Sequence, residues 1–350
     1  MTASLSRHAA GLVAYGYDDF RVEAGDLDLR GDNSPPLSTV ANILRRLDFT
    51  AHDLASYGPV PGEPPLRQAL AGIFAAPADQ IIVTAGGSEA LFLALTCLAM
   101  PGDAVLLPRP AFPGYDQLAH LIGLRPMHYE VPGLSSPQPA GCAAVRVVCT
   151  PHNPSGALTP RAALGRDDAM WTVWDLCHVP LAGADLDDFR TGLGSREVLV
   201  FSLSKLLRLP GARVGCLVAG SPEVAAAATT VKTHLSMSTS RLSQRLAAQV
   251  LGDPAVRRAI ATRHTRLSQL REQLHAAVQE STCLTAVPAG GGTHLLVHAK
   301  GGGAPWQILK DAGVVGLPGV VFNSPVPAVR LCTAQPVDVI EAAAKVVRTL

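Results

Sequence analysis

The stretch Ser202-Leu203-Ser204-Lys205, followed by Gly211-Ala212-Arg213-Val214-Gly215, decides how the chain is read. It comes directly after the apolar run Val198 to Phe201, which has the length and content of a buried strand. A lysine just after such a strand is expected to be partly buried, which lowers its pKa and frees the amine for imine formation. The hydroxyls of Ser202 and Ser204 can bind a phosphate, and Arg213 can add a charge-assisted bond to the same dianion. Taken alone, the stretch also fits a turn carrying a solvated lysine.

Working outward, further short apolar runs repeat the pattern. Gln80 to Thr84, Ala104 to Leu107, Val145 to Cys149, Trp171 to Trp174 and Val214 to Ala219 read as strands. Leu66 to Phe74 and Ser88 to Ala99 read as helices. Buried strands alternating with helices and Gly/Pro loops predict an α/β fold with a mostly parallel central sheet. Beyond about residue 222 the pattern changes. Pro222 to Leu251 reads as one long or broken helix and Ala255 to Glu280 as another. Gly290 to His298 and Val329 to Cys332 read as strands, and Asp338 to Leu350 as a final helix with Asp338 as a cap or first-turn carboxylate. This is a smaller α+β unit. The expected division is an N-terminal arm or part of the small domain over 1–35, a large domain over 36–250 and a small domain over 251–350.

Composition narrows the function classes. The 350 residues carry a formal net charge of +1, 48% hydrophobic residues and 16% charged residues. That supports a large core, and no basic cluster offers an electrostatic footprint for nucleic acid. The seven cysteines are odd in number and none are spaced C-x-x-C, which argues against a disulfide framework or a structural zinc site; no metal is expected. The N-terminus lacks the apolar region of a signal peptide, and no unbroken apolar stretch has the length of a membrane span. The expected compartment is the cytoplasm.

Other segments carry chemistry-bearing residues, each with a plainer alternative. Gly86-Gly87-Ser88, between a strand and a helix, can bind an anion or simply turn the chain. Asn153, in His152-Asn153-Pro154-Ser155-Gly156, offers a donor and an acceptor to a ring hydroxyl, while Asn-Pro and Ser-Gly also make turns. Asp175 ends a strand where α/β folds place ligands; it can keep a pyridine nitrogen protonated, or cap a helix. Phe112 can stack on a flat ring or fill a core. Arg330 can clamp a carboxylate or form a surface ion pair.

Taken in order, Tyr57…Gly62, Gly86-Gly87-Ser88, Phe112, Asn153-Pro154, Asp175, Ser202-x-x-Lys205, Arg213 and Arg330 resemble the fold-type I pyridoxal 5′-phosphate (PLP) enzymes of the aminotransferase class I/II family. The likeness runs from about residue 30 to the end. It implies that Lys205 carries the cofactor as a Schiff base and moves the proton at Cα. It implies that Asp175 pairs with the pyridine nitrogen, Asn153 bonds the ring O3′ and Phe112 stacks on the ring. Gly87, Ser88, Ser202 and Arg213 would hold the phosphate. Tyr57 would reach the phosphate of a neighbouring subunit, making the active unit a homodimer. Arg330, with Asn153, would bind the substrate α-carboxylate.

Two departures stand out. The family's tyrosine three residues after the aspartate is His178 here, which can still donate to O3′ but alters the local charge. Only 22 positions separate Asn153 from Asp175, and 133–141 is Pro/Ser/Gly-rich where a helix is expected, so two covering helices look trimmed. Arg208, after the lysine, reads as solvated. The motifs PHNPSG, WDLCH, SLSKLLRLPGARVG and THLSMSTSRLSQRLAA look like the histidinol-phosphate aminotransferase branch and like capreomycidine synthase. The expected activity is amino transfer from an α-amino acid to a 2-oxo acid. The alternatives are elimination with cyclisation, or decarboxylation, of an amino acid. A regulator reusing this fold would carry a DNA-binding domain ahead of it, and the roughly 35 residues before the fold are not basic.

Overall fold

The computed structural model describes residues 12–13, 20–131, 143–164, 170–179 and 184–350. The Pro/Ser/Gly-rich 133–141 segment, most of the first 19 residues and part of the stretch between Asn153 and Asp175 lie outside the described residues.

Seven strands form one sheet in the order Ile81–Thr84, Gly215–Ala219, Glu197–Ser202, Trp171–Asp175, Val145–Cys149, Ala104–Arg109 and Arg125–Glu130. Only Gly215–Ala219 runs against its neighbours; the rest are parallel, as expected. The inner strands are largely apolar because both faces are covered. Successive residues feed different cores: Val198 and Val200 pack on one side, Leu199 and Phe201 on the other. The edge strand Arg125–Glu130 escaped the sequence reading because it is half solvated and carries Arg125, His128 and Glu130 among its six residues.

The parallel strands place Thr84, Arg109, Cys149, Asp175 and Ser202 at one end of the sheet. Register fixes the neighbours there: Asp175 lies beside Cys149 on one side and Val200 on the other, and Gly215 lies between Thr84 and Ser202. Gly215 has to be glycine. A Cβ there would come within 2.6 Å of the Phe201 carbonyl oxygen and 2.7 Å of the Gly86 carbonyl carbon. Its bare backbone lets the Gly86 turn rest on the sheet, and that turn starts the helix Gly87–Leu98.

A second, antiparallel sheet runs Leu317–Pro318, Val329–Cys332, His294–Ala299, Leu284–Ala286. The helices Pro254–Glu280 and Val337–Arg348 cover it through Leu270, Leu274, Ile340 and Ala343. Asp338 lies in the first turn of the last helix, where its charge meets the helix dipole; it makes no cap. The predicted 222–251 helix is two, Pro222–Leu235 and Arg241–Gly252, each capped by a serine, Ser221 and Ser240. Residues 27–34 run beside the smaller sheet. Leu27–Asp28 pairs with Val314–Val315, and the Cys332 N–H donates to the Leu29 carbonyl at 2.8 Å.

Gly215→Ala should lower stability by about 1–3 kcal/mol, the usual cost of overpacking a filled interior, read as a lower urea midpoint. A midpoint equal to that of the unsubstituted protein would mean that the Gly86 turn does not depend on this contact.

Candidate active site

A cavity of about 550 Å³ opens at the C-terminal ends of the parallel strands, where such folds take ligands. Gly87, Ser88, Phe112, Asn153, Asp175, His178, Ser202, Lys205, Arg213 and Arg330 all line it. Tyr57 does not: it is 79% exposed, in the loop before the helix Pro64–Phe74.

The lysine departs from its expected burial. Lys205 lies on the four-residue helix Leu203–Leu206 at the sheet's open end, and it is exposed. Beneath it the chain is well packed: Leu203 and Leu206 are buried, and the Ser202 side chain accepts from the Ser204 N–H at 3.2 Å. Arg208 departs too. Instead of being solvated, it donates through Nε to the Ser34 carbonyl at 2.5 Å and pairs with Asp32 at 3.1 Å. Asp32 also pairs with Arg263 at 3.2 Å. The segment at 28–34 folds back against the lysine turn, a contact across 174 residues that no local pattern encodes.

One end of the cavity is built for an anion. The helix Gly87–Leu98 begins there, leaving its first N–H groups without partners inside the helix. The Arg213 guanidinium crosses the Gly86 turn and donates to the Ala85 carbonyl at 2.9 Å. A Cβ on Gly86 would come within 2.5 Å of Arg213 Nη2, and one on Gly87 within 2.6 Å of Cys177 Sγ. Gly86 also has φ +84°, a conformation glycine adopts without strain. The hydroxyl of Ser204, buried at this end, has no hydrogen-bond partner among the described residues. A helix terminus, a guanidinium and two serine hydroxyls make a donor set that fits a phosphate dianion.

In the same cavity Asp175 is buried, accepting from Tyr115 Oη at 2.7 Å and from the Cys177 N–H at 2.9 Å. The second bond caps its own turn, so the plainer reading of this residue is partly realised while the carboxylate still lines the cavity. Phe112 lies on the same wall, edge-to-face with Tyr115 at 5.6 Å.

Arg330 is no surface charge. It lies within the smaller sheet, pairing in register with Leu296 and Leu317, and is 7% exposed. Nη1 donates to Asn153 Oδ1 at 3.1 Å, Nη2 donates to the Arg30 carbonyl, and the guanidinium lies 4.7 Å from the Phe322 ring centroid. His178 is half-buried and stands edge-on to His294 at 4.7 Å. Burial, with the charges of Lys205 and Arg330 nearby, pushes His178 down to about 3. Burial likewise pushes His294 well below its usual value. Both rings are neutral near pH 7. The sequence reading missed His294 and Tyr115. His294 alternates inward with Leu296 along its strand, and Tyr115 follows Phe112 by three residues; both signals were available but weak.

The aromatic wall, the buried carboxylate and the anion end therefore fit PLP. Among the described residues, no group of three or more His, Cys, Asp or Glu could hold a metal ion, and no helix is long and apolar enough to cross a membrane.

Comparison with known proteins agrees with this geometry. A model of the family described as Aminotransferase class I and II matches residues 20–347. Capreomycidine synthase from Streptomyces vinaceus is 32% identical over 304 residues, covering 76% of this chain and 73% of that protein. A bifunctional aspartate aminotransferase and glutamate/aspartate-prephenate aminotransferase from Petunia hybrida is 26% identical over 72% of this chain. The chain spans 56% of the length of that enzyme, and 62% of a probable N-succinyldiaminopimelate aminotransferase from Mycobacterium tuberculosis. In fold, it matches a Thermus thermophilus aspartate aminotransferase double mutant with a TM-score of 0.84 at 22% identity, each chain covered completely (100%). A methionine aminotransferase from Escherichia coli matches with a TM-score of 0.77 at 25% identity over 93% of both chains. With its sheet order, its lysine turn and almost its whole length accounted for, the chain belongs to the aminotransferase class I and II family of PLP enzymes.

Proposed function

We propose that the protein is an aminotransferase that moves the amino group of an α-amino acid to a 2-oxo acid, with PLP held on Lys205. The observation that carries this reading is the single cavity shared by Lys205, Asp175, Asn153, Arg330 and the Gly87 helix terminus. Bound there, PLP supplies an aldehyde that exchanges amines and a ring that takes up the electrons of a broken Cα bond.

In this reading the Gly87 and Ser88 N–H groups, Ser202 and Arg213 bind the phosphate. Asp175 accepts a hydrogen bond from the ring N–H and keeps that proton in place. Asn153 and His178 bond O3′, and Phe112 covers the ring face and excludes water. Arg330 and Asn153 hold the substrate α-carboxylate, a bidentate arrangement suited to a guanidinium. Lys205 Nζ would hold the cofactor and is the amine that would move a proton at the substrate Cα. Tyr57 belongs to the partner's phosphate site in a homodimer; its exposure outside its own cavity supports that role, as do exposed Leu44 and Leu54 on nearby helices. The chain divides at about 36 and 250 into an arm, a large domain and a small domain. A cytoplasmic setting suits the six free cysteines among the described residues.

Elimination with cyclisation is a second reading. It is favoured by the 32% identity to capreomycidine synthase and by the histidine at 178. A panel of amino acids offered with 2-oxoglutarate separates the two. Amino transfer gives a new 2-oxo acid and glutamate and converts the bound chromophore to its pyridoxamine form. Elimination releases ammonia or water with no acceptor present.

Lys205→Ala should still bind PLP weakly but lose turnover by a factor of at least ~1,000, and borohydride should no longer fix the chromophore to the protein. Turnover within tenfold of the unsubstituted enzyme would remove Lys205 from the reaction.

Acid sensitivity follows from the neutral imidazoles. Burial holds His152 at about 4 and His178 at about 3, against 6.5 when unperturbed. As pH falls through 6.5, the unfolded chain takes up protons that the folded chain refuses. Stability is therefore full above that pH and falls as acid is added, by about 1.4 kcal/mol per pH unit for each such ring. The apoprotein melting temperature should drop between pH 6.5 and 4. His178→Asn should make that slope shallower; a slope that does not change would contradict the assignment.

A further inference from the structure

We propose that Tyr115 is a positioning residue for the cofactor, acting through one hydrogen bond that fixes the Asp175 carboxylate. The inference rests on the reading above, in which Asp175 faces the ring nitrogen.

The bond runs from Tyr115 Oη to Asp175 Oδ2 at 2.7 Å, between side chains 1% and 7% exposed. The other oxygen, Oδ1, is taken by the Cys177 N–H at 2.9 Å. With one fixed donor on each oxygen, the carboxylate cannot rotate about its bond to Cβ without breaking both. The Cys177 donor belongs to the backbone of Asp175's own turn, so it moves with that turn. Tyr115 is the donor that ties the carboxylate to a different strand end.

Tyr115 is itself held firmly. It lies in the first turn of the helix Gly114–Ile122 and meets Phe112 edge-to-face, with centroids 5.6 Å apart and planes at 86°. The Phe112 ring folds back over Gly114, where a Cβ would lie 2.2 Å from Phe112 Cε1. Burial pushes the Tyr115 phenol well above its usual value, so it stays a donor across the working range. One four-residue turn thus carries both the aromatic that covers the ring face and the hydroxyl that orients the acid at the ring edge. The turn aligns the two.

The alternative is that Tyr115 is only core. The two separate in a double-mutant cycle on apoprotein, with PLP affinity read by absorbance and folding checked by melting temperature. Tyr115→Phe keeps the ring and its packing and removes one charge-assisted bond. It should weaken PLP binding about tenfold. In an Asp175→Ala background the same change should alter the Kd less than twofold, because Tyr115 acts through the acid. Equal losses in both backgrounds, or a Tyr115→Phe Kd within twofold of the unsubstituted protein, would overturn the proposal. If Asp175→Ala itself binds PLP as the unsubstituted protein does, the reading of Asp175 fails. That outcome is distinct from an inert Tyr115→Phe beside a weakened Asp175→Ala.

Discussion

A carboxylate buried at the end of an apolar sheet is costly unless it is bonded, and Asp175 is where this structure meets that cost. Its strand is buried on both sides, its register with Cys149 and Val200 is set by the ladder, and the side chain has nowhere to go but into the cavity. Two donors from the protein satisfy part of its demand. A cationic ring N–H from a bound cofactor would satisfy more. The same strand ends carry Asn153 and Lys205 forward into loops, so the spacing of strands across the sheet becomes the spacing of functional groups across the cavity. The site is a consequence of sheet register first and of loop conformation second.

The anion end depends on close approach rather than on burial of charge. Three glycines, at 86, 87 and 215, remove the atoms that would hold the helix terminus away from Arg213, Cys177 and the sheet. The Arg330 side of the cavity depends on the smaller sheet, which delivers Arg330 to Asn153 across 177 residues of chain. Residues 27–34 are clamped between the two. They bond to the smaller sheet through Leu29 and to the lysine turn through Asp32, Ser34 and Arg208. The smaller sheet and the lysine turn are thus joined through this one segment.

Much of this was legible in the sequence, and the reasons are local. Lys205, Asp175 and Asn153 each follow an apolar run that can only be a buried strand. Arg330 lies inside such a run, where an arginine is conspicuous. The edge strand Arg125–Glu130 was hidden because a half-solvated strand has no continuous apolar run to detect. Tyr115, His294 and the Asp32 contacts were hidden for another reason. Their partners are 60 or more residues away, or stand on a different sheet, and their own neighbourhoods mark them only weakly. Lys205 was expected partly buried. It is exposed on its four-residue helix while the flanking Ser204 and Leu206 are buried.

The histidine at 178 changes the site's chemistry more than its shape. A tyrosine there would bring an ionisable acid to the ring oxygen. An imidazole near Lys205 and Arg330 is pushed toward its neutral form by burial and by those two charges. The position then carries one N–H donor and one acceptor, with no charge to exchange near neutral pH. Edge-on packing with His294 at 4.7 Å limits how the ring can turn, so the direction in which that donor points is set by the smaller sheet. Beside these neutral rings the cavity wall carries the guanidiniums of Arg330 and Arg213.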